Sequence, residues 1–243
     1  MKLNEDFTAP PKLRDIGRWY VTQFVKNVAH ALPPGTRLLD AGAGECAYKR
    51  FFSGARYLSV DAAIGNPSWN YHNLDCISAL DRLPFQEQSF DAVLCTQTLE
   101  HLEWPRESVQ ELFRVLKPGG TLYLTAPMAH HEHQAPHDFF RYTSYGLESI
   151  CRKAGFTTVQ ITPFGGTFTR LAYEVARVLS VFPSAGIRKG PPSLKGILCL
   201  PIRALLLLPI RLLQELLLGL DCLDRKRDYP LGWGVTAQKG SPT

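Results

Sequence analysis

The chain has 243 residues, of which 45% are hydrophobic and 20% are charged. This balance excludes a mainly disordered or fibrous protein, and the length fits one elaborated α/β domain or two small domains. The net charge of +5 is a mild excess, and the only tight basic cluster is Arg225-Lys226-Arg227. Nucleic-acid binders usually concentrate basic residues in a patch, so we expect no nucleic-acid partner.

The six cysteines lie far apart along the chain, without a CxxC pair or a zinc-like spacing. The first fifteen residues lack the apolar core of a secretory signal. We therefore expect reduced thiols in a cytoplasmic protein rather than a disulfide framework.

The hydrophobic pattern predicts helices and strands in alternation. Apolar residues at helical spacing between residues 12 and 32 predict one or two amphipathic helices, which end at Pro33-Pro34-Gly35. Such alternation predicts parallel βαβ units, with helices on both faces of a sheet. In chain order we then expect a strand at 37–40, a helix through Tyr48 and Phe52, strands at 57–61 and 89–95, a helix at 108–116, a strand at 121–127, a helix at 145–154, and strands at 156–161 and 233–237.

The pattern changes between residues 166 and 228, where no strand is predicted and a leucine-rich stretch occurs. We interpret this segment as a helical insertion placed late in the fold. The expected organisation is therefore an N-terminal helical cap at 1–35, an α/β core at 36–165 plus 229–240, and the insertion at 166–228.

The most informative segment is a glycine turn at Asp40-Ala41-Gly42-Ala43-Gly44. Two glycines between a strand and a helix let the backbone turn sharply and approach a ligand, although Gly42-x-Gly44-x-x-Ala47 also matches a loose dinucleotide fingerprint. Asp40 would repel a pyrophosphate at the helix start and would attract an ammonium or sulfonium centre. Asp61, 21 residues later, ends the next strand, where a carboxylate can accept hydrogen bonds from ribose hydroxyls. The two acids favour a cationic nucleoside.

Six motifs occur in order between residues 36 and 162: Leu38–Gly44, Asp61, Leu83-Pro84-Phe85, Ser89–Val93, Leu99-Glu100-His101 and Arg114–Gly120. Together they resemble the class I S-adenosylmethionine-dependent methyltransferases, most closely the type-11 family. The resemblance implies an α/β, Rossmann-like, seven-stranded and mostly parallel sheet, whose reversed last strand residues 233–237 would supply.

The resemblance also implies the cofactor contacts. Asp40 and the backbone of Gly42 and Gly44 would hold the amino-acid portion of S-adenosylmethionine, Asp61 would hold the ribose, and Thr96-Gln97 would line the methionine side. Two positions depart from the family pattern. Cys46 stands where a third glycine is often found, and Ala79 replaces the acid that commonly reaches the adenine, so Asp75, Asp81 or a backbone group would take over that contact.

Four of the seven histidines, His130, His131, His133 and His137, follow the predicted strand at 121–127. Open α/β sheets bind ligands at this edge. The loop fits a metal site that includes Glu132 or Asp138, a catalytic base, or a polar substrate loop. Methyl transfer from a sulfonium needs no metal and the loop lacks an HxxxH register, so we expect no metal. We expect His137 to act as a base or to orient the acceptor, with His133 as second choice. We expect Glu100 and His101 to have a structural role or to support residues of the site, rather than to be catalytic.

The stretch His137–Tyr142 also resembles one branch of the type-11 family, so we expect the loop to shape the acceptor pocket. Phe139 and Phe140 offer an apolar wall and Arg141 a fixed cation. Alternatively, both rings belong to the core and Arg141 pairs with Asp138. The residues predicted to contact the acceptor are His130, Asp138, Phe139, Arg141 and Tyr142.

Residues 197–220 contain 12 leucines in 24 positions. A membrane span is disfavoured because about −7 kcal/mol from leucines is offset by about +8 kcal/mol from three charged residues, and Pro201 and Pro209 interrupt the helix. A helical wheel groups the polar residues within about 120° and the leucines opposite. The stretch therefore fits packing on the domain, a membrane interface or a dimer seam.

The sequence as a whole predicts a methyltransferase that uses S-adenosylmethionine on a small or lipid-linked acceptor, with oxygen as the expected target. We expect a cytoplasmic protein with a peripheral contact to the inner face of the membrane through 197–220. Two alternatives remain. One is a catalytically degenerate, cofactor-binding or membrane-associated scaffold. The other is an NAD(P)-dependent oxidoreductase, which Asp40 and the lack of a Tyr-x-x-x-Lys pair disfavour.

Overall fold

A seven-stranded sheet runs through the structure, a computed structural model that describes residues 16–65, 68–182 and 194–241, with the side chains of 195–197 left out. The strands are β1 (Arg37–Ala41), β2 (Arg56–Asp61), β3 (Cys76–Ile77), β4 (Phe90–Thr96), β5 (Leu116–Pro127), β6 (Phe156–Pro163) and β7 (Gly232–Lys239). The helices are α1 (Ile16–Ala31), α2 (Pro105–Val115), α3 (Ser144–Ala154), α4 (Thr167–Val181) and α5 (Leu194–Leu220), and short 3₁₀ turns cover Lys49–Phe51, Leu99–His101 and Asp221–Leu223.

The strand order is β3-β2-β1-β4-β5-β7-β6. Strand β7 pairs antiparallel with β5 and β6, while β1 to β5 pair in parallel. The predicted Rossmann-like α/β sheet with a reversed last strand is thereby confirmed. The order changes direction between β1 and β4, and the carboxyl ends of these strands form the crevice where open α/β sheets bind ligands.

The central strands are buried on both sides, as near-continuous apolar runs predict. Helices α2 and α3 pack on one face, where Leu112 and Leu147 join the core with Val235 of β7. At the neighbouring residue Gly234 a side chain would project toward the opposite face, where its Cβ would lie 2.7 Å from the Phe24 ring of α1. Successive strand residues face opposite sides, so these contacts account for the covering of both faces.

The chain divides into two compact units. One holds the described residues of Val21–Phe164 and those from Gly232 onward, and therefore the whole sheet. The other holds Gly165–Leu231 with the described residues of 6–20. All six cysteines are free. Among the described helices, none is long and apolar enough to cross a bilayer.

In the second unit, two polar side chains of α5, those of Arg203 and Gln214, turn toward α4, whereas Arg211 and Glu215 are exposed. Arg203 donates to the carbonyls of Leu179 and Phe182, and the Gln214 amide donates to the Ala172 carbonyl at 2.9 Å. The leucines on the opposite side of α5 face outward, and Leu205 is 76% exposed and Leu212 63% exposed. The helix therefore presents an apolar face to its surroundings.

Two sequence predictions differ from the structure. The helix expected through Tyr48 and Phe52 is replaced by turns and one 3₁₀ turn, because Cys46 has a φ of +57°, which a continuous α-helix cannot include. Strand β3 was not predicted, since two residues carry no readable alternation. The part of the first predicted helix before Ile16 lies outside the described residues.

Candidate functional site

The glycine turn lies directly after β1 at the carboxyl edge of the sheet. Gly42 and Gly44 have φ values of +79° and +52°, which favour glycine. The main-chain N–H groups of Gly42 and Ala43 donate to the Val60 carbonyl at 2.8 and 3.1 Å. The Gly44 N–H donates to Oδ2 of Asp61 at 2.9 Å. The end of β2 thus fixes the turn through hydrogen bonds to its backbone.

Thr98, in the loop after β4, closes the turn from the other side. Its hydroxyl lies 3.3 Å from the Gly42 carbonyl and 3.0 Å from the Thr96 carbonyl. A Cβ at Gly42 would lie 2.3 Å from Cγ2 and Oγ1 of Thr98. Sequence analysis missed Thr98, and its only signal is its place next to the predicted pair Thr96-Gln97.

Asp61 ends β2, as predicted, and its carboxylate organises the loops around it. Oδ2 accepts from Gly44 and Oδ1 accepts from the Ala63 N–H at 2.8 Å. Each carboxylate oxygen can accept further bonds, so the group keeps acceptor capacity for hydroxyls. The Trp69 ring lies 3.5 Å from where a Gly44 Cβ would be. Trp69 was also missed, because no motif marks the segment after Asp61.

Asp40 is 1% exposed. Its Oδ2 accepts a 2.5 Å hydrogen bond from the Tyr57 hydroxyl, while Oδ1 has no partner among the described residues. Burial raises the pKa of Asp40 to about 7, with the Tyr57 hydrogen bond acting against this and the Asp61 charge adding to it. Asp40 and Asp61 are therefore electrostatically coupled on the two sides of the turn.

Three further residues were predicted to contact the cofactor, namely Thr96, Gln97 and Asp75, and their side chains have different surroundings. Thr96 ends β4 close to the turn, and Gln97 hydrogen-bonds Thr125 of β5 through both its main-chain and side-chain nitrogens. Asp75 accepts from the main chain and hydroxyl of Ser59 at 2.9 and 2.7 Å. It therefore braces β2, while Ile77, 68% exposed, stands level with Asp61.

The histidine-containing loop, residues 128–143, is fastened to the 3₁₀ turn at Leu99–His101. The N–H groups of Phe139 and Phe140 donate to the Glu100 carbonyl at 2.9 and 3.2 Å. The His101 ring nitrogen Nδ1 lies 2.5 Å from the His137 carbonyl. These bonds hold the loop at the edge of the sheet.

The structure corrects the expectation that Arg141 offers a free cation to an acceptor. All five of its N–H donors are used inside the loop, because it forms a bidentate pair with Asp138 and also binds the carbonyls of His130, His131 and Phe140. This pair holds the pKa of Asp138 far below its usual range. The alternative pairing of Arg141 with Asp138 is therefore what the structure shows.

Tyr142 is also turned inward, contrary to the expected acceptor contact. Its side chain is buried and its hydroxyl donates to the Leu99 carbonyl at 2.9 Å. Phe139 and Phe140, however, are 42% and 39% exposed, so they are not core residues and remain available as an apolar wall.

The rings of the candidate histidines lie close to one another. His133 stands with its ring centroid 4.5 Å from that of His130 and 4.6 Å from that of His101. Burial, followed by the neighbouring imidazoles, lowers the pKa of His133. The His137 ring contacts Phe139, with centroids 6.4 Å apart.

Glu100, which sequence analysis took as structural, is fully buried at 0% exposure. Neither of its carboxylate oxygens has a hydrogen-bond partner among the described residues. Burial raises the pKa of Glu100 to about 8. Its Oε1 lies 3.9 Å from Nε2 of His101.

Comparisons with known proteins agree with this geometry. Residues 39–124 match the type-11 family model described as "Methyltransferase domain". Demethylmenaquinone methyltransferase of Corynebacterium urealyticum is 35% identical over 96 residues, which cover 37% of this chain and 41% of that protein. Ubiquinone biosynthesis O-methyltransferase of Xanthomonas campestris is 33% identical over 106 residues, 38% of this chain and 43% of that protein. The chain thus spans about two fifths of these relatives.

Two solved structures share the fold. The [4+2]-cyclase SpnF matches with a TM-score of 0.57 and 19% identity, covering 91% of this chain and 82% of the other. Phosphoethanolamine N-methyltransferase 2 of Haemonchus contortus, in complex with S-adenosyl-L-methionine, also has a TM-score of 0.57, with 16% identity over 92% of this chain and 53% of the other. At these identities the likeness concerns the fold alone.

The sheet order is that of a Rossmann-like α/β fold, with the glycine turn and its two acids at the carboxyl edge of the sheet. S-adenosylmethionine is the cofactor of the type-11 methyltransferase family, whose domain model residues 39–124 match. The residues at the glycine turn fit S-adenosylmethionine. The unpartnered Oδ1 of Asp40 suits a cationic ligand, and Asp61 retains acceptor capacity for ribose hydroxyls.

The Gly42→Ala substitution should weaken cofactor binding by more than about tenfold, an effect beyond the cost of the left-handed backbone, which is roughly 1–2 kcal/mol. The added Cβ meets Thr98 at 2.3 Å, so the turn and the loop after β4 must separate. Gly35→Ala is the matched control, since Gly35 has a φ of +81° and nothing within 4 Å of its Cβ position. Calorimetric titration with S-adenosylmethionine and urea unfolding should show a stability loss in both variants and an affinity loss in Gly42→Ala alone.

The Asp40→Asn substitution should stabilise the cofactor-free protein at pH 8 and leave its stability unchanged near pH 4. The folded protein keeps the Asp40 proton up to about pH 7, whereas the unfolded chain releases it near 3.8. The free energy of unfolding of the wild type therefore falls as the pH rises from 3.8 to about 7, by at most about 1.4 kcal/mol per pH unit. Urea unfolding across pH measures the difference, while cofactor affinity should fall in the variant at pH 8.

Asp91→Asn provides a control of opposite sign. Although burial acts to raise its pKa, the Lys117 ammonium at 2.6 Å and the Arg37 N–H lower the pKa of Asp91 overall. This variant should lose stability at pH 8. If the stability of Asp40→Asn and of the wild type depended on pH in the same way, Asp40 would not be a buried carboxyl with a raised pKa.

Proposed function

We propose that this protein is an S-adenosylmethionine-dependent methyltransferase that methylates an oxygen of a lipid-linked small acceptor. The observation that carries the proposal is the glycine turn at the switch point, flanked by the half-satisfied Asp40 and by Asp61. This combination provides negative charge where a cationic nucleoside would lie. A pyrophosphate needs a helix start without a carboxylate beside it, whereas this turn is flanked by two carboxylates.

Bound S-adenosylmethionine supplies a methyl group on a positively charged sulfur. In the proposal, Asp40 and the backbone of Gly42 and Gly44 hold its amino-acid portion, Asp61 holds the ribose, and Thr96 and Gln97 line the methionine side. The sulfonium is intrinsically reactive, so aligning the acceptor oxygen in line with the methyl group provides most of the rate acceleration.

The acceptor is proposed to lie against the loop at 128–143. Phe139 and Phe140 form its apolar wall, and the Arg141–Asp138 pair fixes the loop. His137 accepts the hydroxyl proton as the oxygen–carbon bond forms and the carbon–sulfur bond breaks, with the bonding electrons returning to a neutral thioether. A base at this position contributes about 10²–10⁴-fold.

Two observations support a lipid-linked acceptor. Two relatives are a demethylmenaquinone methyltransferase and a ubiquinone biosynthesis O-methyltransferase. The α5 helix also carries a row of exposed leucines, and exposed basic residues follow it at Arg225 and Lys226. An apolar face with neighbouring basic residues suits an interfacial helix on an anionic membrane. We therefore include peripheral contact with the inner membrane face in the proposal.

Turnover can be tested with cofactor carrying an isotope-labelled methyl group and hydroxylated prenyl-quinone precursors in mixed micelles. The wild type should produce labelled methyl ether, identified by mass spectrometry. His137→Ala should lower kcat by about 100-fold or more with unchanged cofactor affinity, while His72→Ala, on an exposed loop, should behave as wild type. Cofactor binding without product on any acceptor would favour a scaffold, and label on carbon or nitrogen would refute O-methylation.

Membrane contact can be tested by vesicle flotation with phosphatidylglycerol-containing liposomes. The double substitution Leu205→Glu and Leu212→Glu places two charges on the exposed face of α5 and should reduce bound protein severalfold, because a charge must then be dehydrated on insertion. Lys153→Glu changes the net charge by the same −2 at an exposed site of the other unit. Equal flotation of both variants and the wild type would refute contact through α5.

A further inference from the structure

Three side chains at the start of the segment after β4 and in the histidine-containing loop form a cluster that the proposed methyl transfer does not use. Glu100, His101 and His133 each offer one ligand atom, and these atoms all lie within 4.8 Å of one another. Around an ion with bonds of about 2.1 Å, tetrahedral ligand atoms lie about 3.4 Å apart. The Glu100–His101 pair is already close to that separation, at 3.9 Å.

The orientation of each imidazole suits ligation. Nδ1 of His101 lies 2.5 Å from the His137 carbonyl, and Nδ1 of His133 lies 3.1 Å from the His131 carbonyl and 3.3 Å from Asp138. Nitrogens in these positions carry the proton, so Nε2 of each ring is left with its lone pair. Metal-binding histidines are held in this way by carbonyl or carboxylate partners.

The surroundings of Glu100 support a metal site independently of the orientation of the imidazoles. It is fully buried, and both of its oxygens lack partners within the described parts of the chain. Arg141, whose positive charge acts on Glu100, has committed all five donors to Asp138 and to carbonyls of the loop. A buried carboxylate without hydrogen bonds is costly, and an ion bound to it would remove that cost.

We propose that Glu100, His101 and His133 bind a divalent transition-metal ion of the zinc type. Two neutral imidazoles and one carboxylate match the ligand preference of zinc, and three protein ligands leave an open position, as in catalytic zinc sites. Gln134, whose amide lies 3.2 Å from Nε2 of His101, must turn aside when the ion binds. In this assignment His133 is a ligand, and His137 remains the base.

The site can be tested on the whole protein without cofactor or acceptor, so the result does not depend on methyl transfer. After treatment with a chelator, the protein should bind one Zn²⁺ in competition with a chromophoric chelator. Co²⁺ should give the visible absorption bands of a low-coordinate site. Zn²⁺ should also raise the Tm of the wild type.

Glu100→Gln and His133→Gln should each weaken Zn²⁺ binding by more than about 100-fold, since even the partners of metal ligands are worth 10–100-fold. The side chain of His133 is 25% exposed, so its variant tests the site even where Glu100→Gln perturbs folding. His72→Gln is the matched control and should bind as wild type. The proposal is overturned if the wild type binds no stoichiometric ion, or if binding survives in both variants and is lost when His130 and His131 are replaced instead.

Discussion

The site depends on one constraint, which is the fixed path of the backbone between β1 and the end of β2. The Val60 carbonyl and the Asp61 carboxylate accept from successive N–H groups of the turn, and Thr98 fills the space where a side chain at Gly42 would project. Because the turn is held from both neighbouring strands, it can adopt only the left-handed conformation observed at Gly42. Every proposed cofactor contact at the crevice follows from this path.

Two buried carboxylates lie at the same edge of the sheet, Asp40 at the end of β1 and Glu100 just after β4. Both have raised pKa values, chiefly because burial penalises their charge, and both retain unpartnered oxygens among the described residues. Unsatisfied buried groups are uncommon in folded proteins and often mark functional sites. Their different neighbours separate their roles. Asp40 is coupled to Asp61 beside the glycine turn, whereas Glu100 faces imidazoles.

Sequence patterns predicted the elements with long periodic or motif signals and missed the features that depend on tertiary contacts. The glycine turn, Asp61 and a last strand at 233–237 were predicted, because glycine spacing and apolar runs report local backbone requirements, whereas the reversal of that strand was implied by the resemblance to the type-11 family. Thr98 and Trp69 were missed, since only folding places them over Gly42 and Gly44. Likewise, the charge of Arg141 was evident in the sequence, but the use of all five donors depends on carbonyls that the folded loop brings together.

The helical wheel of the leucine-rich stretch separated two faces of α5 but could not say which faced inward. The structure turns Arg203 and Gln214 toward α4, where the carbonyls of Leu179, Phe182 and Ala172 accept their hydrogen bonds, which a leucine could not donate. The apolar face is left outward as a consequence.

The fold by itself does not determine the reaction, since a [4+2]-cyclase and a phosphoethanolamine N-methyltransferase both have it. A fold common to different chemistries leaves specificity to loops and surfaces. In this chain the features proposed for that role are the loop at 128–143, with its two exposed phenylalanines, and the leucine face of α5. Each of these two surfaces is apolar, so each by itself suits contact with an apolar group.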